Sequence, residues 1–189
     1  STQHWTVTLM QTDAQGVDGV MLTATCVTAV RRPTWSAVDA PRPDAPAPGQ
    51  VARPPIPKRV RWIERYDMRP LAGPMPMQWD GSEADSLTRL WVRDDPPRPL
   101  DFPSLTALAD VFFPRVWRRR ARMTPAGTVS MSVYFHAGAD ELAATGEGYL
   151  LGQARAQSFF NGFFDQSAEL WNEAGHLLAT THQVVYFKE

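Results

Sequence analysis

The chain has 189 residues, a net charge of −1, 43% hydrophobic residues and 21% charged residues. This is ordinary for a globular protein with a core of useful size, and the near-neutral charge excludes the basic footprint of a nucleic-acid binder. No apolar run approaches the roughly 18–20 residues that span a bilayer, so no membrane partner is expected. The single cysteine, Cys26, excludes an internal disulfide and points to a reducing, cytoplasmic setting. His4, His136, His176 and His182 lack the spacing of a closed zinc site, and no glycine-rich phosphate loop is present.

In chain order, Trp5, Val7 and Leu9 alternate with Thr6, Thr8 and Met10, and Val20–Val30 is β-branched and apolar. The segment Asp13–Gly19 turns between them, which predicts a hairpin. Cys26 falls in the alternating apolar run and reads as a buried structural thiol. Eight prolines then crowd into Pro33–Pro57. Proline removes ladder donors, so this stretch reads as an extended, partly mobile surface connection and a domain boundary. Arg59–Tyr66 and Ser86–Arg93 read as short strands separated by a Pro70–Gly81 loop.

Asp101–Arg120 is the clearest helix, with Asp101 as N-cap and Pro103 in the first turn. Leu105, Leu108, Ala109, Phe112 and Val116 recur at helical spacing, and Ala107, Val111 and Phe113 widen the stripe until the helix should be buried all round. Pro114 should end or kink it near Phe113. In Thr128–His136, Val129, Met131, Val133 and Phe135 face one way, while Thr128, Ser130, Ser132 and Tyr134 face the other. Strands at Tyr149–Phe159, Phe163–Trp171 and Leu177–Phe187 follow, the last two joined by a turn at Asn172–Gly175. The class is α+β, an antiparallel sheet around one apolar helix. The N-terminal hairpin echoes the C-terminal one, each a strand, an acidic/Gly turn and a second strand. Residues 1–32 therefore read as the tail of an incomplete first repeat whose natural start lies before Ser1, 33–58 as a linker, and 59–189 as a complete repeat.

Three polar residues stand out against apolar surroundings. Asp110 lies inside the apolar helix, where lost hydration raises a carboxylate's pKa unless it is hydrogen-bonded. It reads equally as a general base or as a structural carboxylate tied to a loop. Gln183 shares a strand face with Leu177, Ala179, Thr181, Val185 and Phe187, and an amide there needs partners. Thr128 opens the strand after the helix and on its own reads as a common strand-start residue. Together, a helix carboxylate, a strand hydroxyl and a strand amide can converge on one water, as hydrolysis of an activated acyl group requires. Arg115, Arg118, Arg119, Arg120 and Arg122 read either as an attractor of phosphates or as a solvated helix end. His136 reads as a strand-end histidine or a base.

The segments Leu105-Thr-Ala-Leu-Ala-Asp-Val-Phe-Phe-Pro, Gly127-Thr-Val-Ser-Met-Ser-Val-Tyr-Phe-His, Glu169-Leu-Trp-Asn-Glu-Ala-Gly-His-Leu-Leu-Ala and Leu177-Leu-Ala-Thr-Thr-His-Gln resemble the acyl-CoA thioesterase II family, in that order along the chain. Members are double hotdogs, two helix-in-sheet repeats in one chain. The resemblance implies an acyl-CoA substrate, no metal or redox cofactor, a homodimer or larger assembly, and an Asp/Thr/Gln site falling on Asp110, Thr128 and Gln183. Backbone N–H groups would hold the oxyanion. The pattern departs where the family often carries Asp-His after the Thr, since Ser130 and Met131 stand here, and the helix of a first repeat is absent from this sequence. A hotdog hydratase or dehydratase, or a non-catalytic acyl-CoA-binding module, are the other readings.

Overall fold

The computed structural model describes residues 1–55, 61–76, 78, 80, 84–120 and 122–188. The chain divides into two compact units, Ser1–Asp39 and Ala40–Glu189.

The first unit is a single antiparallel hairpin of β1 (Thr2–Thr12) and β2 (Asp18–Ala29), with a bulge between Leu9 and Met10. The Asp13 carboxylate accepts from the Gln15 and Val17 amides, and Gly16 supplies the positive φ that the turn needs. Both faces of the ribbon are exposed, with Trp5, Leu9, Leu22 and Val27 each more than half accessible. Cys26 is exposed too, which corrects its reading as a buried thiol. Alternation tells which residues share a face, but a two-stranded ribbon has no second layer to cover it.

The second unit contains β3 (Tyr66–Ala72), β4 (Thr88–Asp94), α1 (Phe102–Leu108), α2 (Val116–Arg119), β5 (Ala126–Phe135), α3 (Ala139–Thr145), β6 (Leu150–Arg155), β7 (Phe159–Phe160), β8 (Phe163–Asn172) and β9 (Leu177–Phe187). Its antiparallel sheet runs in the order β3-β4-β6-β8-β9-β5, with β7 added to β8. Leu105, Leu108 and Ala109 of α1 share one apolar cluster with Val92, Leu150, Leu170 and Leu178 of the sheet. Each large side chain so buried contributes roughly 1.5–3 kcal/mol. The expected antiparallel sheet around one apolar helix is what the chain forms.

Several boundaries differ from the sequence reading. Residues 59 and 60 lie outside the described residues, Arg61–Arg65 form a 3₁₀ turn, and the strand starts only at Tyr66. That strand runs through Pro70, which is tolerated because β3 is an edge and the ladder is irregular between Pro70 and Ala72. Residues 77, 79 and 81 of the expected loop are also outside the described residues.

The proline-rich stretch is anchored rather than loose from Ala40 to Pro55. The Trp91 indole donates to the Pro46 carbonyl at 2.9 Å, Pro48 is buried, and Ala40, Ala45 and Val51 pack on a cluster of Trp91, Tyr149, Leu151 and Trp171. Residues 56–58 of the expected linker are outside the described residues. Tyr149–Phe159 is broken after Arg155, where the Asp165 carboxylate accepts from the Gln157 and Ser158 amides. The helix α3 was absent from the sequence reading.

The central helix is much shorter than its pattern suggests. Asp101 caps it as expected, accepting from the Ser104 amide at 2.7 Å. It ends at Leu108, followed by a tight turn in which the Asp110 amide donates to the Ala107 carbonyl at 3.1 Å. Pro114 explains the early end, because its ring would collide with the carbonyl of residue 110 in a continuing helix. The chain leaves the helix one turn upstream of the proline instead. Phe112 then packs where only glycine fits, since a Cβ on Gly152 would meet its ring at 2.8 Å. The helix is also not covered on every side, because Thr106, Ala107 and Asp110 are exposed.

Candidate active site

The early end of α1 decides where Asp110 goes. Its side chain leaves the turn towards the sheet and accepts a hydrogen bond from Gln183 Nε2 at 2.7 Å. Gln183, on β9, is 2% exposed and accepts from the Thr128 hydroxyl at 3.2 Å. The three residues picked out in the sequence thus form one chain of contacts, from hydroxyl to amide to carboxylate.

Thr128 arrives there by a route that simple alternation does not give. Strict alternation puts Thr128 on the opposite face from Met131. A bulge in β5 inserts Val129, so that Thr128 pairs with Val185 and Ser130 with Val184. The extra residue reverses the phase, and Thr128 joins Met131, Val133 and Phe135 on the helix side. Val129 itself is 61% exposed, against the expectation that it shares one face with Met131, Val133 and Phe135.

The contact chain lines a cleft of about 560 Å³ between the end of α1 and the sheet. Asp110 is exposed on the cleft side, yet the protein shields enough of its carboxyl that burial raises its pKa, with the Gln183 hydrogen bond pulling the other way. Tyr66 lines the same cleft, and its phenol is pushed up by burial first, then by the charges of Asp94 and Asp110. Gln166 of β8 lines it as well and is 2% exposed. Sequence reasoning missed both. Gln166 carried the same signal as Gln183, an amide on a face shared with Phe164, Ala168 and Leu170.

The other candidates sit elsewhere. The His136 ring bonds Thr180 Oγ1 at 3.0 Å, at the far end of β5 from Thr128. The arginine cluster divides in two, and its sequence readings are corrected for Arg115 and Arg118. Arg115 is wholly buried, its guanidinium donating to the Phe113 and Ser86 carbonyls and lying 4.3 Å from the Phe113 ring. Burial, then the Arg118 charge, brings it down to about 9. Arg118 is also buried, with its guanidinium towards Pro74 and Asp85. These two brace the segment that carries Asp110, while Arg119, Arg120 and Arg122 are exposed.

A family model described as the acyl-CoA thioesterase C-terminal domain matches residues 37–187. The chain belongs to this family. Among solved structures, a conserved hot dog fold protein of unknown function from Alicyclobacillus acidocaldarius is 44% identical, with a TM-score of 0.90 over 100% of this chain and 68% of that one. The acyl-CoA thioesterase II TesB2 of Mycobacterium marinum is 19% identical, with a TM-score of 0.71 over 100% of this chain and 69% of that one. A tesB protein of Mycobacterium avium subs paratuberculosis is 17% identical, with a TM-score of 0.64 over 100% and 72%. The last two share the fold. No curated protein matches. This thioesterase-family domain therefore has the hotdog fold, with α1 as the wrapped helix.

Proposed function

We propose that the chain hydrolyses acyl-CoA thioesters by direct attack of water in the cleft at Asp110. The observation that carries the reading is the hydrogen-bonded series Thr128–Gln183–Asp110, which leaves lone pairs on the carboxylate and the hydroxyl for one shared water. One water O–H points to Asp110 and the other to Thr128 Oγ1, which turns a water lone pair to the thioester carbon. Asp110 takes the proton as the water oxygen bonds to that carbon. The tetrahedral intermediate then collapses, the C–S bond breaks, and the departing thiolate receives the proton held on Asp110. A carboxylate raised by burial suits this work better than an ordinary one, because its conjugate acid lies nearer the operating pH. Gln183 keeps the carboxylate aligned, and N–H donors hold the oxyanion.

A hydratase reading would call for a histidine beside the carboxylate, and no histidine is among the described residues lining the cleft. The hairpin β1–β2 fits the closing hairpin of another repeat, since its acidic turn and bulged ladder parallel those of β8–β9.

The test is thiol release from short, medium and long acyl-CoAs by the wild type and Asp110→Asn. Loss of a general base lowers kcat by about 10²- to 10⁴-fold. Turnover that survives in Asp110→Asn would move the base elsewhere. Binding without turnover by the wild type would make the chain a binding module.

A further inference from the structure

Gln166 and Gln183 face each other across the β8–β9 ladder, side by side on the helix-facing surface of the sheet. Both are 2% exposed and both line the cleft. Their partners differ sharply. Gln183 donates to Asp110 and accepts from Thr128, whereas the Gln166 side chain has no hydrogen-bond partner among the described residues. Its amide lines the cleft, so a group entering the cleft can supply the partner that the protein does not. The neighbours Phe164, Ala168 and Leu170 are apolar and would accommodate a leucine at this position.

We propose that the Gln166 side-chain N–H₂ is a catalytic hydrogen-bond donor to the thioester carbonyl oxygen. The assignment rests on the thioesterase reading and deepens it. In the sheet order β8-β9-β5, Thr128 lies on one side of Gln183 and Gln166 on the other. With the water held by Asp110 and Thr128, a thioester laid over Gln183 presents its carbon to the water and its oxygen to Gln166. As the water oxygen bonds to carbon and its proton passes to Asp110, the C=O π pair moves onto the carbonyl oxygen. The Gln166 N–H meets that charge. The pair returns when the C–S bond breaks and the thiolate leaves with the proton from Asp110. A neutral amide fits this post because it adds no charge that would compete with Asp110, and it lines the cleft where the thioester would lie. The orphaned donor of the free protein is thereby one whose partner arrives with the substrate.

The experiment compares wild type, Gln166→Leu and Gln166→Glu by steady-state thiol release and by thermal melting. Glutamate keeps the size and removes both N–H donors. We expect kcat to fall about 10²- to 10³-fold in both variants, with KM changed little. Gln166→Leu should melt no lower than wild type, which separates lost chemistry from lost packing. A kcat for Gln166→Leu within about twofold of wild type would overturn the assignment. A second arm needs no turnover. It measures affinity for a CoA analogue with CH₂ in place of the thioester sulfur, which keeps the carbonyl, against a thioether analogue that lacks it. Wild type should prefer the carbonyl analogue by about tenfold and Gln166→Leu should not, as expected for one donor lost from a buried pair. Equal affinities in wild type, or a preference that survives in Gln166→Leu, would also overturn it. Failure of wild type to turn over any acyl-CoA while keeping that preference would count against hydrolysis and leave the Gln166 contact standing.

Discussion

Asp67 and Asp110 are both carboxylates set against the interior of the same unit, and the two regions around them were built to opposite ends. Asp67, on β3, is 5% exposed and saturated. Arg69 grips it through two nitrogens at 3.0 and 3.1 Å, Arg53 and Arg93 stand at 3.7 and 3.9 Å, and the Tyr149 hydroxyl donates to it. Burial alone would raise it, but the hydrogen bonds from Arg69 and Tyr149, then the charges of Arg69 and Arg53, outweigh burial and hold it below the usual carboxylate range. Arg69 also donates to the Pro48 and Val51 carbonyls, so the cluster ties down the Ala40–Pro55 strap. Among the described residues Asp110 has no cation on it and a single amide bond, and its pKa is moved the other way. A carboxylate with every lone pair engaged holds a fold together. One left half-satisfied at a cleft keeps capacity to take a proton.

Exchanging each for its amide should break the comparison cleanly. Asp110→Asn should cost about 10²- to 10⁴-fold in kcat and leave the fold intact. Asp67→Asn should destabilise the second unit by about 1.5–3 kcal/mol in a denaturant titration, since it weakens the charged hydrogen bonds of partly exposed guanidinium groups, while the folded fraction keeps its kcat. Thr128→Val, which removes one of two groups orienting the water, should lower kcat by about tenfold with thermal stability preserved.

The pH responses should run in opposite senses. Because the folded state raises Asp110, the unfolded chain gives up that proton first, and its contribution to stability is lost as pH rises through the raised value. Asp110→Asn should therefore melt higher than wild type at neutral pH, with the difference vanishing below about pH 4. The acid limb of kcat should lie above the ordinary carboxylate value of 3.8. Asp67 contributes stability above its unfolded value, which is lost as pH falls through its lowered one, so wild type should lose its advantage over Asp67→Asn in acid.

Much of this was legible in the residue pattern. The antiparallel strands after the helix, the Asp101 cap and the oddity of Asp110 and Gln183 all come from polar residues in apolar company. What escaped was set by single steric or tertiary events. The helix stops before Asp110 because of a proline four residues on, while the apolar stripe runs on through Phe112 for packing reasons of its own. Arg115 and Arg118 looked like surface charge and turned out to brace the turn from inside. Cys26 sits in a run that reads as core, on a ribbon whose both faces are open. Gln166 stands between the polar residues Asp165 and Ser167, which mask in sequence that its own face is shared with Phe164, Ala168 and Leu170.

The inserted Val129 has a further consequence for how this sheet tolerates change. A strand obeys a parity rule, odd positions one way and even positions the other, and β5 changes parity once, beside Thr128. The Thr128 end of the strand and the remainder from Ser130 to Phe135 are therefore independently framed. Straightening the bulge with Val129 kept in the ladder would restore one uninterrupted parity and send the Thr128 hydroxyl through to the opposite surface, although every side chain in the triad would still be encoded. A loss of this kind is invisible to any comparison that asks only whether the three residues are present.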